Sequence, residues 1–97
     1  MKVNWDSIAL EDLASIKIYL RENWGETVAE KFLAMVESKI SILVQQPEFG
    51  RPSSKYPDVR KVLVGKRQMM YYRLKENEIE IAAFFDQKMD ISKNRFE

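Results

Sequence analysis

Hydrophobic and polar positions are most regularly arranged between Val59 and Asp86, which reads VRKVLV-GK-RQMMYYRL-KEN-EIEIAAFFD. Val, Ile, Tyr and Phe suit a half-buried pleated surface, so the stretch predicts three antiparallel strands joined by two tight turns. Gly65-Lys66 suits a two-residue hairpin loop, because glycine accepts the positive φ such a turn needs. Lys75-Glu76-Asn77 is the second turn, with Asn77 suited to the left-handed region. In the last strand Ile79, Ile81, Ala83 and Phe85 point one way and Glu80, Ala82, Phe84 and Asp86 the other. The middle strand sets Met70, Tyr72 and Leu74 against Met69, Tyr71 and Arg73. The first strand is ambiguous, because a slip of one residue exchanges its two faces.

Upstream the period lengthens. Lys2–Trp5 is a short strand, and Asp6 has the chemistry of a helix N-cap. Ala9, Leu13, Ile16 and Leu20 follow at helical spacing, predicting a helix over Ser7–Asn23 with Ile18 off its apolar stripe. Gly25 suits the closing position of that helix. A second helix is predicted over Glu26–Gln46. Its apolar residues spread over more than half the circumference, wider than the stripe needed to pack on one sheet. It should therefore touch the sheet and also either the first helix or another protein. Glu11, Glu22, Glu30 and Glu37 make the outer side of the helix pair acidic.

Pro47 stops the second helix and opens a loop to Pro57, long enough in a small fold to suggest function. Gln87–Glu97 has weak periodicity and many polar residues, and is expected to be a short tail or frayed turn. The pattern is β-α-α-β-β-β, an α+β fold: a small antiparallel-rich sheet with a two-helix hairpin on one face. The 97 residues are expected to form one domain. The other sheet face is expected to be partly open and basic.

Composition narrows the chemistry. There is no Cys and no His, which removes thiolate metal sites, the commonest metal ligand and the usual base near neutral pH. Nothing predicts a metal or cofactor. No apolar run approaches a membrane span, and Met1-Lys2 leads into Val-Asn-Trp-Asp rather than a leader-like run. A cytoplasmic setting is expected. The net charge of +1 conceals an asymmetry: residues 51–75 carry eight basic side chains and one acidic, whereas the segments before and after are each net −3. A basic block of this density points to an anionic partner.

Several residues together carry a family resemblance. They are Trp5; the spacing of Ala9, Asp12-Leu13, Ile16 and Tyr19; Phe32; Leu43…Pro47…Gly50-Arg51; Val59-Arg60; Tyr72-Arg73-Leu74; and Ile79-Glu80-Ile81 leading to Phe85-Asp86. In this order and length the chain resembles the RelE/ParE superfamily of bacterial toxin–antitoxin toxins, also called plasmid-stabilisation proteins. The resemblance implies a growth-inhibiting toxin neutralised by a cognate antitoxin, which wraps an extended or helical segment along it. A homodimer is compatible with it. ParE-like members poison DNA gyrase, and RelE-like members cleave messenger RNA on the ribosome. The second chemistry needs a base, an acid and cations on the phosphate.

The candidates for such work are Arg60, Arg73 and Tyr71. Lys55, Lys61, Arg67 and Lys88 are candidates for binding nucleic acid or another target. Arg60 leads them, so Arg60→Ala is expected to keep the fold and abolish toxicity. Met69 stands where RelE-like strands often carry Arg, and Asp86 where some carry His or a basic residue. These departures favour a ParE-like toxin that inhibits by binding. A ribosome-dependent mRNA endonuclease and an inactive module that only binds its antitoxin are the alternatives.

Overall fold

A computed structural model describes all of residues 1–97. The chain runs β1 (Lys2–Trp5), α1 (Ser7–Trp24), α2 (Glu26–Gln45), β2 (Arg51–Pro52), β3 (Val59–Val64), β4 (Gln68–Lys75) and β5 (Glu78–Asp86), then a 3-10 turn at Ile91–Lys93. The strands form one sheet in the order β1-β5-β4-β3-β2. β1 lies parallel to β5, and every other pairing is antiparallel. The β-α-α-β-β-β order read from the sequence is thus present, with the two-residue β2 added inside the long loop.

The ends of the helices are fixed by local chemistry. The Asp6 carboxylate accepts the Ile8 N–H at 2.8 Å, and the Asp6 N–H donates to Ile81 O at 2.9 Å, tying the helix start to β5. Gly25, at φ +100°, donates to the carbonyls of Leu20 and Arg21 and serves both helices at once. The hairpin packs Ala9, Phe32, Val36 and Leu43 onto Val62, Val64, Met70, Tyr72, Ile79, Ile81 and Phe84 of the sheet. Trp5 adds its ring at 6.1 Å from Phe84. Ile18 is exposed, as its place off the stripe predicts.

The turns differ in detail from the sequence expectation. Val64 pairs with Gln68, so the first hairpin loop spans Gly65–Arg67, three residues rather than two. No non-glycine residue has a positive φ, so Asn77 is not left-handed.

One irregularity re-aims β5. Tyr71 pairs with Ala83 and Tyr72 with Ile81, leaving Ala82 as a bulge. Strict alternation would send Phe84 away from the Ile79/Ile81 face. The extra residue reverses this, so Ile79, Ile81 and Phe84 share the helix-covered core while Ala83 and Phe85 face the other side. Asp12 on α1 stabilises the bulge, its carboxylate accepting the Phe84 N–H at 3.0 Å.

The face away from the helices is not open, and the frayed tail expected after β5 is absent. Residues 87–97 turn back across the sheet as a strap, and Phe96, only 1% exposed, joins Val59, Met69, Tyr71, Ala82 and Ala83 in a second apolar cluster.

Candidate functional site

The residues nominated from the sequence do not form one basic face. They fall into four separate settings.

Arg60 lies on β3, opposite Tyr72. Its guanidinium donates to the carbonyls of Gly50 at 2.6 Å and Glu48 at 3.2 Å. The Tyr72 hydroxyl donates to Pro47 O at 2.8 Å and accepts the Gly50 N–H at 2.9 Å. Burial pushes the Tyr72 phenol up in pKa, partly offset by the Gly50 N–H. Together Arg60 and Tyr72 pin the 47–50 turn to the sheet. Glycine is required at 50 because a Cβ there would stand 2.6 Å from the Tyr72 oxygen and 2.7 Å from Lys61 O. Arg60→Ala would therefore loosen this turn as well as remove a charge.

Arg67 and Lys88 meet at the far end of the meander, around Asp86. The Asp86 carboxylate accepts from Arg67 Nη2 at 2.7 Å and from the Lys88 N–H at 2.8 Å. Its partial burial raises the pKa, but these donors more than offset that and hold it below the ordinary carboxylate range. Lys55 stands apart in the loop, with its ammonium 5.9 Å from the Tyr56 ring centre.

Lys61, Tyr71 and Arg73 do converge, on the face crossed by residues 87–97. Glu97 is the focus of Lys61 and Tyr71, and Arg73 lies over the neighbouring Phe96 ring. The Glu97 carboxylate accepts from Lys61 Nζ at 2.7 Å, the Tyr71 hydroxyl at 2.5 Å, and Ser54 through its Oγ at 2.9 Å and its N–H at 3.2 Å. Burial pushes the Glu97 carboxyl up, yet the Lys61, Tyr71 and Ser54 donors bring it down to about 2. Desolvation and the adjacent Glu97 drive the Tyr71 phenol strongly upward. Phe96 stacks on Tyr71 at 5.0 Å, with Tyr56 and Phe85 edge-on to it. Arg73 lies 5.4 Å from the Phe96 ring centre and pairs with Glu80 at 3.2 Å. Phe96, Glu97 and Ser54 were not among the sequence candidates. The only sequence signal for the first two was an aromatic residue followed by an acid at the end of a polar stretch.

A groove also opens on the helix side, along the wide apolar surface of α2. About 760 Å³ in volume, it lies between α1, α2 and the β3–β4 turn, with Ile16, Leu20, Phe32 and Val64 among its lining residues. Tyr19, Trp24, Val28 and Met35 line it while remaining exposed. Lys31, Lys66 and Arg67 add positive charge, against the single acid Asp86. The broad apolar face of α2 is thus divided between the sheet and this groove.

A family model described as the ParE toxin of the type II toxin–antitoxin system parDE matches residues 3–91. The chain belongs to the ParE toxin family. It is similar to Toxin ParE1 of Mycobacterium tuberculosis (strain ATCC 25618 / H37Rv), at 27% identity over 74 residues, 75% of this chain and 76% of that protein. Among solved structures, the chromosomal ParDE TA system from P. aeruginosa matches with a TM-score of 0.74 at 24% identity, covering 89% of this chain and 95% of that one. The YoeB dimer from Staphylococcus aureus matches with a TM-score of 0.62 at 13% identity, covering 86% and 92%. These two likenesses are of fold. The protein is a ParE-like toxin of a type II toxin–antitoxin system, as the sequence resemblance implied. In this ParE-family chain the groove and the strapped sheet face lie on opposite sides of the sheet. No helix is long and apolar enough to cross a membrane.

Proposed function

We propose that residues 1–97 act as one cytoplasmic toxin domain that arrests growth by binding DNA gyrase. Its cognate antitoxin holds it off by laying an acidic amphipathic segment in the groove between the helices and the β3–β4 turn. The observation that carries the binding reading is the engagement of the side chains best suited to cleaving RNA. The Tyr71 hydroxyl is buried against Glu97 and Asn94, Lys61 is paired with Glu97, and Arg73 with Glu80. General acid–base catalysis needs such groups within reach of the reacting atoms. Here they serve the chain's own packing, which favours inhibition by docking over cleavage.

The groove supports the antitoxin half of the reading. It offers apolar anchors at helical spacing, and its cationic residues complement an acidic helix. Purified toxin should inhibit gyrase supercoiling in proportion to its concentration. Met35→Asp places a carboxylate in the groove and should let the toxin escape neutralisation by co-expressed antitoxin while still arresting growth. Undiminished neutralisation of that variant would remove the groove from the antitoxin interface. Supercoiling unaffected by the toxin would remove gyrase as the target.

A further inference from the structure

The outer side of α1 carries a feature that neither the groove nor the strap uses. Ala9, Leu13, Ile16 and Leu20 turn inward to the core. Leu10 is 51% exposed and Ile18 50% exposed, and Ala14 between them is exposed as well. The three follow one another at four-residue spacing, so they form a single ridge about 12 Å long on the helix surface. A lone exposed Leu or Ile is ordinary. Two on one ridge, with a small residue between them that lets a second backbone approach, make a seam.

The charges beside this ridge are divided by sign. Lys17 and Arg21 lie in the neighbouring row of side chains on one side, and Glu11 in the neighbouring row on the other. Lys17 and Glu11 take part in no ion pair within the chain, and Arg21 only in an exposed one with Glu26. A partner of one charge would meet repulsion on one of the two flanks. A second copy of this chain does not. A two-fold axis parallel to the ridge exchanges the flanks and lays Lys17 of each α1 against Glu11 of the other. It also aligns the two ridges, at the crossing angle of about 50° that is commonest between packed helices.

We propose that this chain forms a weak two-fold dimer through the outer face of α1. Leu10, Ala14 and Ile18 make its apolar seam, and reciprocal Lys17–Glu11 pairs close it on either side. None of these residues lines the groove, and the strap crosses the opposite face of the sheet. The dimer therefore stands apart from the gyrase and antitoxin reading and leaves the groove open in both copies. The size of the seam sets its strength. Stable interfaces bury about 800 Å² on each partner, more than about two turns of one helix supply. Interfaces of that full size begin at micromolar affinity, so this smaller one should associate only above about 10 µM.

The test is sedimentation velocity of the full chain over a concentration series up to about 500 µM, where mass action favours even a weak dimer. The weight-average mass should rise from the 11.5 kDa of one chain toward twice that value. Ile18→Asp changes a half-exposed position, so thermal unfolding should show it folded, and it should weaken association by about tenfold or more. Lys17→Glu and Glu11→Lys should each weaken it roughly fivefold, because two exposed pairs are lost at once. The double reversal, Lys17→Glu with Glu11→Lys, should restore the wild-type affinity. A chain that stays monomeric across the series would overturn the dimer. Wild-type association by Ile18→Asp would overturn the seam, and escape of that variant from co-expressed antitoxin would assign the ridge to the antitoxin instead. Loss in both single reversals with no recovery in the double would overturn the two-fold arrangement.

Discussion

Replacing Phe96 by alanine is the sharpest test of how this fold is held together. The residue is 1% exposed and touches three aromatic rings and two guanidinium groups. A buried Phe→Ala change ordinarily costs about 3–5 kcal/mol, from lost transfer energy and the cavity left behind. Here there is an upper limit. The strap has no ladder to the sheet, so once its docking is weakened it can detach, and the loss cannot exceed what the strap contributes. The expected cost is therefore at the low end, about 3 kcal/mol. At roughly 4–8 °C per kcal/mol for a domain of this size, the midpoint should fall by roughly 12–24 °C. Urea unfolding should show the midpoint moving, and hydrogen exchange should show residues 90–97 losing protection before the helices do. A change below about 0.5 kcal/mol would mean that the strap is not packed in solution and that the second cluster contributes little.

Other consequences are more local. Glu97 has its carboxyl lowered from 4.5 to about 2, so the folded state favours the charged form. That stability is present above pH 4.5 and lost as pH falls toward 2. The shift corresponds to about 2–3 kcal/mol, and Glu97→Gln should flatten stability against pH in that window, read by chemical unfolding at pH 6 and pH 3. Tyr72→Phe strips the partner from the buried Gly50 N–H and should cost about 1–3 kcal/mol by the same unfolding measurement, leaving the helices in place. Asp12→Ala removes the acceptor of the Phe84 N–H at the bulge, at a similar cost of about 1–3 kcal/mol, and the Phe84 amide should then exchange faster.

Most of the architecture was legible because it rests on periodicity and punctuation. Asp6 and Gly25 mark the helix ends, and the spacing of Ala9, Leu13, Ile16 and Leu20 finds the sheet-facing side of α1. What period alone does not reveal are features fixed by contacts between distant residues. The Ala82 bulge is braced where the Phe84 N–H meets the carboxylate of Asp12, seventy-two positions before Phe84. Alternation read without it puts Phe84 on the wrong face. The strap looked like a polar tail because only Phe96 is buried in it, and its partners Lys61, Tyr71 and Ser54 come from three other segments.

The site candidates show the same division. A count of charge found the basic block of residues 51–75. Charge counts do not say where a cation is already committed. Arg60 is committed to the main chain of the 47–50 turn, Arg67 to Asp86 and Lys61 to Glu97. The width of the α2 apolar face pointed to a second contact, but the outline of the groove did not show, because Tyr19 and Trp24 on α1 join Val28 and Met35 on α2 only once the hairpin has closed.

The most direct measurement is induction of the chain alone in a bacterium, following growth, messenger RNA cleavage ends and a DNA-damage reporter together. Inhibition by binding gyrase predicts arrest with the damage reporter on and messages intact. Arrest with codon-phased cuts in messenger RNA and a silent reporter would contradict it and assign the toxin to the ribosome.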